Sequence, residues 1–405
     1  MELISVKLGD LVASGEAIIK TGPFGTQLKA AEYVDYGTPV INVKNIGFGA
    51  VVRNKLDMVG QATLERLEAH ILRAGDIVFG RKGAVERHAY ISEAEAGWMQ
   101  GSDCIRLRID SKRVNSHYLS YYFLTPKHQA FMIGMCSHGT TMASLNQKIL
   151  EQIEIPIPDI KIQNRVVSIL NTIDDRISIN SKINDNLQEQ AQTLFAERFC
   201  LRNSDPVPEG WSLVSLGDVA VISNKSFNPL KQPETMLEHY SIPAFDEKRY
   251  PVFELSTEIK SNKFIVDSDC FMISKLNPTT KRVWRPYCMT ENAVCSTEFI
   301  VYKAKVRELT DFLYSLIDSA SFSDFMCSHV TGSTGSRQRT TPSDTLQYQF
   351  YMPTADEIAD FSAVVAPMYA QIRINAMENA RLKGLRDSLL PRLMSGEIDM
   401  SGADI

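Results

Sequence analysis

At 405 residues the chain is longer than a single hydrophobic core usually serves, so two or more domains are expected. Hydrophobic residues make up 44% and charged residues 22%, as in ordinary globular proteins, and no apolar run reaches the roughly 18 residues of a membrane span. A net charge of −5 counts against indiscriminate nucleic-acid binding while leaving room for local basic loops, and seven cysteines without paired spacing point to a reducing cytoplasm rather than a disulfide framework.

The chain opens on MELISVKLGD, which has neither the basic start nor the apolar stretch of an export signal. VKLGDLVA (Val6 to Ala13) begins some 150 residues of short apolar runs rich in β-branched and aromatic residues and broken by Gly, Pro and Asn. These read as strands and turns, with helical pieces such as SHYLSYYFL (Ser116 to Leu124) between them. The segment Gly22-Pro23-Phe24-Gly25 reads as a turn. GDIVFGRKGAVERHAYI (Gly75 to Ile91) carries Arg81, Lys82, Arg87 and His88, and SHGTTMASLNQK (Ser137 to Lys148) carries Thr140 and Thr141. With Lys44 they form the candidate nucleic-acid contacts of residues 1–158, the first predicted domain.

QIEIPIP (Gln152 to Pro158) ends that domain, and Asp159 then opens a predicted long helix over 159–202. CLRNSDPVPEGW (Cys200 to Trp211), with Pro206, Pro208 and Gly210, is the clearest linker. After it the pattern repeats. VSLGDVAV (Val214 to Val221) answers VKLGDLVA, and SDCFMISKLNPTTKRVWRPY (Ser268 to Tyr287) stands where GDIVFGRKGAVERHAYI stood. MCSH occurs at Met135 to His138 and again at Met326 to His329, and QYQFYMP (Gln347 to Pro353) answers QIEIPIP. The second predicted domain is therefore 203–353, followed by a second long helix over 354–398 and a tail at 399–405. Thr354 with Glu357 three residues later is a capping box for that helix.

In the second domain Lys275, Asn277, Lys281, Arg282, Trp284 and Arg285 fall in one stretch, and GSTGSRQRTT (Gly332 to Thr341) adds Arg337 and Arg339. Basic groups interleaved with Gly, Thr and aromatics suit phosphate contacts, and Arg, Asn and Gln can also read base edges through paired hydrogen bonds. Solvated loops at strand ends would look similar. Recurrence at equivalent points of both halves favours the nucleic-acid reading.

Both long helices carry two apolar tracks per heptad. Val166, Ile173, Asn180, Leu187 and Leu194 are matched by Phe361, Met368, Asn375, Leu382 and Leu389; Leu170, Ile177, Asn184 and Ala191 are matched by Val365, Ile372, Asn379 and Arg386. Further apolar residues at Ile169, Ile183 and Val364 widen the stripe and leave room for another partner. A buried amide without a partner costs about 1–3 kcal/mol. The helices are thus expected to pair with each other, with Asn180 facing Asn375 and the asparagines fixing the register. Two similar halves predict approximate two-fold symmetry and antiparallel helices. At about 40 residues, each would be roughly 60 Å long, more than a DNA turn of about 34–36 Å, so the pair would act as a ruler between two reading heads.

Catalytic motifs are absent from this reading. Asn277-Pro278-Thr279-Thr280 lacks the aromatic of the loop that holds a flipped adenine in DNA methyltransferases, no Gly-rich loop precedes a helix in cofactor-binding form, and no acidic pair with Lys suggests a nuclease. Cys136-x-His138 and Cys327-x-His329 do not supply the ligands zinc needs and read as ordinary repeat residues, so no metal is expected.

At this point the order of motifs resembles the specificity subunit of type I restriction-modification systems across essentially the whole chain. VPEGWSLVSLGDV (Val207 to Val219) looks like that family's opening of a target recognition domain, and IEIPIPDIKIQNRVVSILNTIDDRI (Ile153 to Ile177) like its entry into the first long helix. KLNPTTKRVW (Lys275 to Trp284) with STEF (Ser296 to Phe299) looks like one recurring type of recognition domain, and LLPRLMSGEI (Leu389 to Ile398) like the usual C-terminus. QNRV after Ile162, where the family often has Glu-Gln, is a departure, as is the single Pro353 before the second helix.

The resemblance implies a mixed α/β fold: two similar target recognition domains joined by two long antiparallel coiled-coil helices with pseudo-two-fold symmetry. It implies a non-catalytic subunit that reads a bipartite, asymmetric site in double-stranded DNA and docks two adenine-methylating subunits. S-adenosylmethionine would sit on those subunits and no cofactor on this chain, with restriction (translocase/nuclease) subunits as further partners. A self-contained methyltransferase or nuclease, or a coiled-coil scaffold without DNA recognition, accounts for less of the sequence.

Overall fold

The structure is a computed structural model that describes residues 2–23, 25, 27–136, 143–201, 206–231, 234–331 and 338–402. The chain divides into two units, Met1–Asp175 with Leu382–Ile405, and Arg176–Arg381. Each mixes strands and helices. Among the described residues no helix is long and apolar enough to cross a membrane.

In the first unit the strand Ile4–Lys7 pairs antiparallel with Glu154–Ile157, the strand that leads into the first long helix. The VKLGD turn closes on this pair: Leu8 N donates to Ile153 O at 3.0 Å, and a Cβ on Gly9 would stand 2.9 Å from Glu151 O. Glycine is therefore required there by close approach. A five-stranded sheet follows in the order Ala17–Thr21, Cys104–Ile109, Ile77–Gly80, His88–Tyr90, Phe48–Gly49. A four-stranded sheet runs Tyr33–Val34, Asp57–Val59, Thr38–Ile41, Met99–Gln100. Ile77–Gly80 is buried at every position, which is why it reads as an unbroken apolar run rather than an alternating one. Asn115 caps the helix Ser116–Phe123 by accepting from His117 N and Tyr118 N, turning Tyr118, Leu119 and Phe123 inward. The core gathers Leu8, Phe79, Leu107, Tyr118, Leu145, Val166 and Leu170 around the sheet. Leu390, Leu393, Met394 and Met400 belong to the same core, so residues expected as a helix end and a tail are built into the first unit. Each such side chain contributes about 1.5–3 kcal/mol when fully buried.

The second unit repeats the plan. Ser212–Ser215 pairs antiparallel with Gln349–Met352, and Leu216 N donates to Tyr348 O at 2.8 Å, as Leu8 does to Ile153. A four-stranded sheet runs Ala220–Ile222, Phe299–Ala304, Cys270–Ser274, Val283–Trp284. A five-stranded sheet runs Ser226–Phe227, Lys263–Ile265, Ala293–Ser296, Met236–Tyr240, Val252–Leu255. Phe195, Phe199, Phe312 and Phe361 meet in tilted and edge-to-face pairs, with centroids 5.2–6.5 Å apart, and anchor the long helices to the helix Thr310–Ile317.

The long helices are Ile160–Phe199 and Ala355–Met394, each of 40 residues. Asp159 starts the first by accepting from Lys161 N at 2.9 Å. The Thr354–Glu357 box starts the second: Thr354 N donates to the Glu357 carboxylate at 2.9 Å, and Glu357 N to Thr354 Oγ1 at 3.4 Å. Pro367 and Pro391 lie within the second helix without ending it. Each forgoes a backbone bond that propensity alone would not tolerate, so packing along the seam must hold the helix together there.

Candidate nucleic-acid interface

The seam of the helix pair is visible within each unit. In the first, Arg165 Nη1 donates to Met400 O (2.9 Å) and Ser401 O (3.0 Å), and Arg386 Nη1 to Asp174 (2.9 Å). Asp174 also accepts from the Tyr121 hydroxyl at 2.8 Å. In the second, Asn180 Nδ2 donates to Asn379 Oδ1 at 3.0 Å and Asn375 Nδ2 to Asn184 Oδ1 at 2.9 Å. Four residues forward on one helix are four residues back on the other, so the helices run antiparallel.

The expected face-to-face pair of Asn180 and Asn375 is replaced by two crossed pairs, each joining a residue to the repeat-mate of its neighbour. The remaining amide groups are satisfied locally. Asn180 also reaches Glu378, Asn184 Nδ2 the Ile372 carbonyl, and Asn379 Nδ2 Ser181 Oγ, while Gln371 donates to Asn375 Oδ1. Asn180, Asn375 and Asn379 are buried; Asn184, Leu187, Leu194, Leu382 and Leu389 are half-buried along the same stripe.

The two loop regions singled out in each half are laced together, and in the same way. In the first unit Arg81 N donates to Asp103 O, Leu145 N to Arg81 O and Gly83 N to Ala143 O, with Lys82 bridging to Ser144. In the second, Lys275 N donates to Glu298 O, Thr340 N to Lys275 O and Asn277 N to Gln338 O, with Leu276 bridging to Arg339. Even the backbone twist recurs: Gly83 has φ +81° and Asn277 has φ +48°, the left-handed region that glycine and asparagine tolerate best. Lys275, Asn277 and Arg339 are thereby brought to one junction, and Arg81 and Lys82 to its counterpart.

The other expected contacts are placed differently. Thr140, Thr141 and Arg337 lie outside the described residues. Lys44 is exposed and bonded to Asp57 at 2.8 Å, and Arg87 lies over the Phe48 ring at 5.0 Å. His88 is fully buried, its Nε2 2.8 Å from Ser120 Oγ; burial, with His128 nearby, pushes its pKa down to about 3. It is a core residue rather than a surface donor. Trp284 is buried as well, packed edge-on against Tyr240 and Phe245.

Three cations of the same stretch are committed to acids. Lys281 Nζ bonds the Asp318 carboxylate (2.9 Å) and carbonyl (2.7 Å). Arg282 makes a two-pronged bond to Asp246 (2.6 and 2.9 Å) with only 12% of its side chain exposed, and Arg285 pairs with Asp311. Lys281 and Arg285 thus turn toward the helix Thr310–Ile317. Beside Arg285 a cleft of about 690 Å³ is lined by Trp284, Tyr287, Tyr314, Tyr369 and Met377. Asp318 also accepts from Gln188 Nε2 at 2.6 Å and from Gln192, tying the basic loop to the first long helix. Sequence reading passed over Asp318 and Asp246, since a single acid far along the chain carries no motif; Glu298 lay in the STEF stretch without a role of its own.

Arg339 and Glu298 form the remaining pair, with Nε at 2.9 Å and Nη2 at 3.1 Å from the two carboxylate oxygens. Those bonds raise the pKa of Arg339.

Residues 5–189 match the family model described as the type I restriction modification DNA specificity domain. Residues 5–189 are similar to that specificity domain. The recognition made from the motifs is borne out by this match and by two relatives. The type I restriction enzyme MjaIX specificity subunit of Methanocaldococcus jannaschii is 24% identical over 312 residues, covering 70% of this chain and 69% of the relative. The HindI specificity subunit of Haemophilus influenzae is 21% identical over 442 aligned residues, covering 88% and 94%. The fold is similar to that of the type I restriction-modification S subunit from M. genitalium, with a TM-score of 0.59 at 13% identity, over 97% of this chain and 96% of that one. The matched stretch takes in the first laced junction and the first Asn pair positions, Asn180 and Asn184; the second junction lies beyond it.

Proposed function

We propose that this chain is the non-catalytic specificity subunit of a type I restriction-modification complex. Each unit reads one part of a split, asymmetric site in double-stranded DNA. The paired helices, each about 60 Å long, set the spacing between the parts. Two methylation subunits dock on the chain, bring S-adenosylmethionine and methylate adenine; restriction subunits are further partners, and the complex works in the cytoplasm.

The observation that carries this reading is the pair of laced junctions. The same backbone frame holds Arg81, Lys82 and Ser144 in one unit and Lys275, Leu276 and Arg339 in the other. A constant frame with different donors and acceptors suits two half-sites of different sequence, since base identity is read by side-chain chemistry at groove edges.

Co-expression with methylation subunits followed by mapping of modified adenines tests it. A two-part, non-palindromic site is expected. A palindrome would contradict the asymmetry. S-adenosylmethionine binding by the purified chain alone would instead favour an enzyme, and a complex without sequence preference would favour a scaffold.

A further inference from the structure

We propose that the two laced junctions are the base-reading elements, and that Arg339 with Glu298 in the second unit, and Lys82 with Asp103 in the first, set which base pair each half-site accepts. This rests on the reading of the chain as a DNA-specificity subunit and assigns its recognition to particular side chains.

Three observations point to these pairs. First, the acids occupy the same place on the same frame: Asp103 and Glu298 each accept, through the backbone carbonyl, from the residue that opens the junction (Arg81, Lys275), while the cations come from its two facing segments, Lys82 bridged to Ser144 and Arg339 bridged to Leu276. Second, both members of each pair are open to solvent. The side chains of Arg339 and Glu298 are 43% and 29% exposed, and those of Lys82 and Asp103 59% and 54%. Arg282, by contrast, has only 12% of its side chain exposed, and Lys281 and Arg285 are drawn to acids on or beside the helix Thr310–Ile317. Third, exposed ion pairs add little stability, so packing gives no strong reason to keep acid and base together at this point in both units.

The chemistry of the pairs fits a base pair edge. An Arg fork matches the O6 and N7 acceptors of guanine, and a carboxylate accepts from the cytosine amino group. Glu298 holds the Arg339 fork in one plane before DNA arrives. Lys82 stands 3.9 Å from Asp103 and offers a point charge without a fork. The first half-site should therefore be read less strictly at the base pair that Lys82 and Asp103 meet. Glu298 is a positioning residue as well as an acceptor, and Arg339 the donor.

The test uses the full chain assembled with methylation subunits, and selects preferred sites from a DNA pool for wild type, Arg339→Lys, Glu298→Gln and the charge swap Glu298→Arg/Arg339→Glu. Melting temperature is followed in parallel. The expected result is a loss of preference of roughly 5- to 150-fold at one base pair of one half-site, the other half unchanged, at near wild-type melting temperature. The charge swap should keep the fold and still not restore the original preference. If the swap did restore it, or if both conservative variants kept the wild-type site, the pair would be structural only and the inference overturned while the specificity reading stood. A wild-type complex with no preferred site would remove that reading, and the inference with it.

Discussion

Asn180 donates its side-chain amide to Asn379 Oδ1, 3.0 Å away, within the buried amide cluster of the seam. Removing Asn180 leaves Asn379 Oδ1 buried without its donor, which costs about 1–3 kcal/mol, whereas removing both amides is close to neutral. Asn180→Ala should therefore lower stability by about that amount, and Asn180→Leu/Asn379→Leu should recover most of it. A denaturation double-mutant cycle reads the coupling; additive losses would mean that the amides act independently.

Asp318 should matter more to the second unit than a surface acid would. It gathers Gln188, Gln192 and Lys281, and its side chain is almost fully enclosed. Asp318→Ala is expected to destabilise by about 1.5–3 kcal/mol. Site preference measured on the surviving folded complex should stay the same, and a shifted preference would return Lys281 to the list of readers.

Arg282 was expected at DNA, but its guanidinium is held by Asp246 and largely enclosed. Arg282→Ala should lower the melting temperature, with a loss of about 1.5–3 kcal/mol, and leave the preferred base sequence intact. A preference changed at one base pair without loss of stability would reverse that assignment.

His88 and His128 give the first unit an acid limb. Burial lowers the first to about 3 and the second to about 4, against an ordinary value of 6.5. The unfolded chain then binds protons that the folded unit refuses. Their contribution is complete above pH 6.5 and declines as the pH falls toward 4, by about 1.4 kcal/mol per pH unit for each histidine. His128 sits among Tyr122, Phe123 and Phe131, so His128→Phe should preserve packing and remove one of the two slopes. Parallel melting curves against pH for the variant and wild type would count against this account.

Inserting seven residues at matching points of both long helices adds about 10 Å to each. The gap between methylated half-sites should widen by roughly three base pairs, with the half-site sequences unchanged. An unaltered gap in the mapped sites would remove the spacer role of the helices.

Much of this was legible in the sequence because the repeat doubles every signal. VKLGD and VSLGD mark the same turn, and Asp159 and Thr354 the same helix start. The heptad tracks located the seam, but equivalence in a repeat is not contact. Antiparallel packing sends Asn180 to Asn379 instead of to its own counterpart Asn375. The basic loops were visible as charge; the acids that claim Lys281, Arg282 and Arg285 lie 26–37 residues away along the chain. The lacing of Lys275 to Thr340 uses backbone atoms, which leave no mark on residue identity. His88 looked like a surface donor because its neighbours are charged, whereas its strand enters the interior there and the ring packs against Phe79 and Phe123.

Leu390, Leu393, Met394 and Met400 complete the interior of a unit whose first strand begins at Ile4. During translation the leading portion must wait, its apolar face uncovered, until the ribosome has made everything up to Met400. The trailing portion, Arg176–Arg381, has its own residues in hand earlier. This order of completion predicts that an interrupted nascent chain is a substrate for chaperones at its leading end, and that joining the segment after Arg381 ahead of Ile4 by circular permutation would relieve the wait.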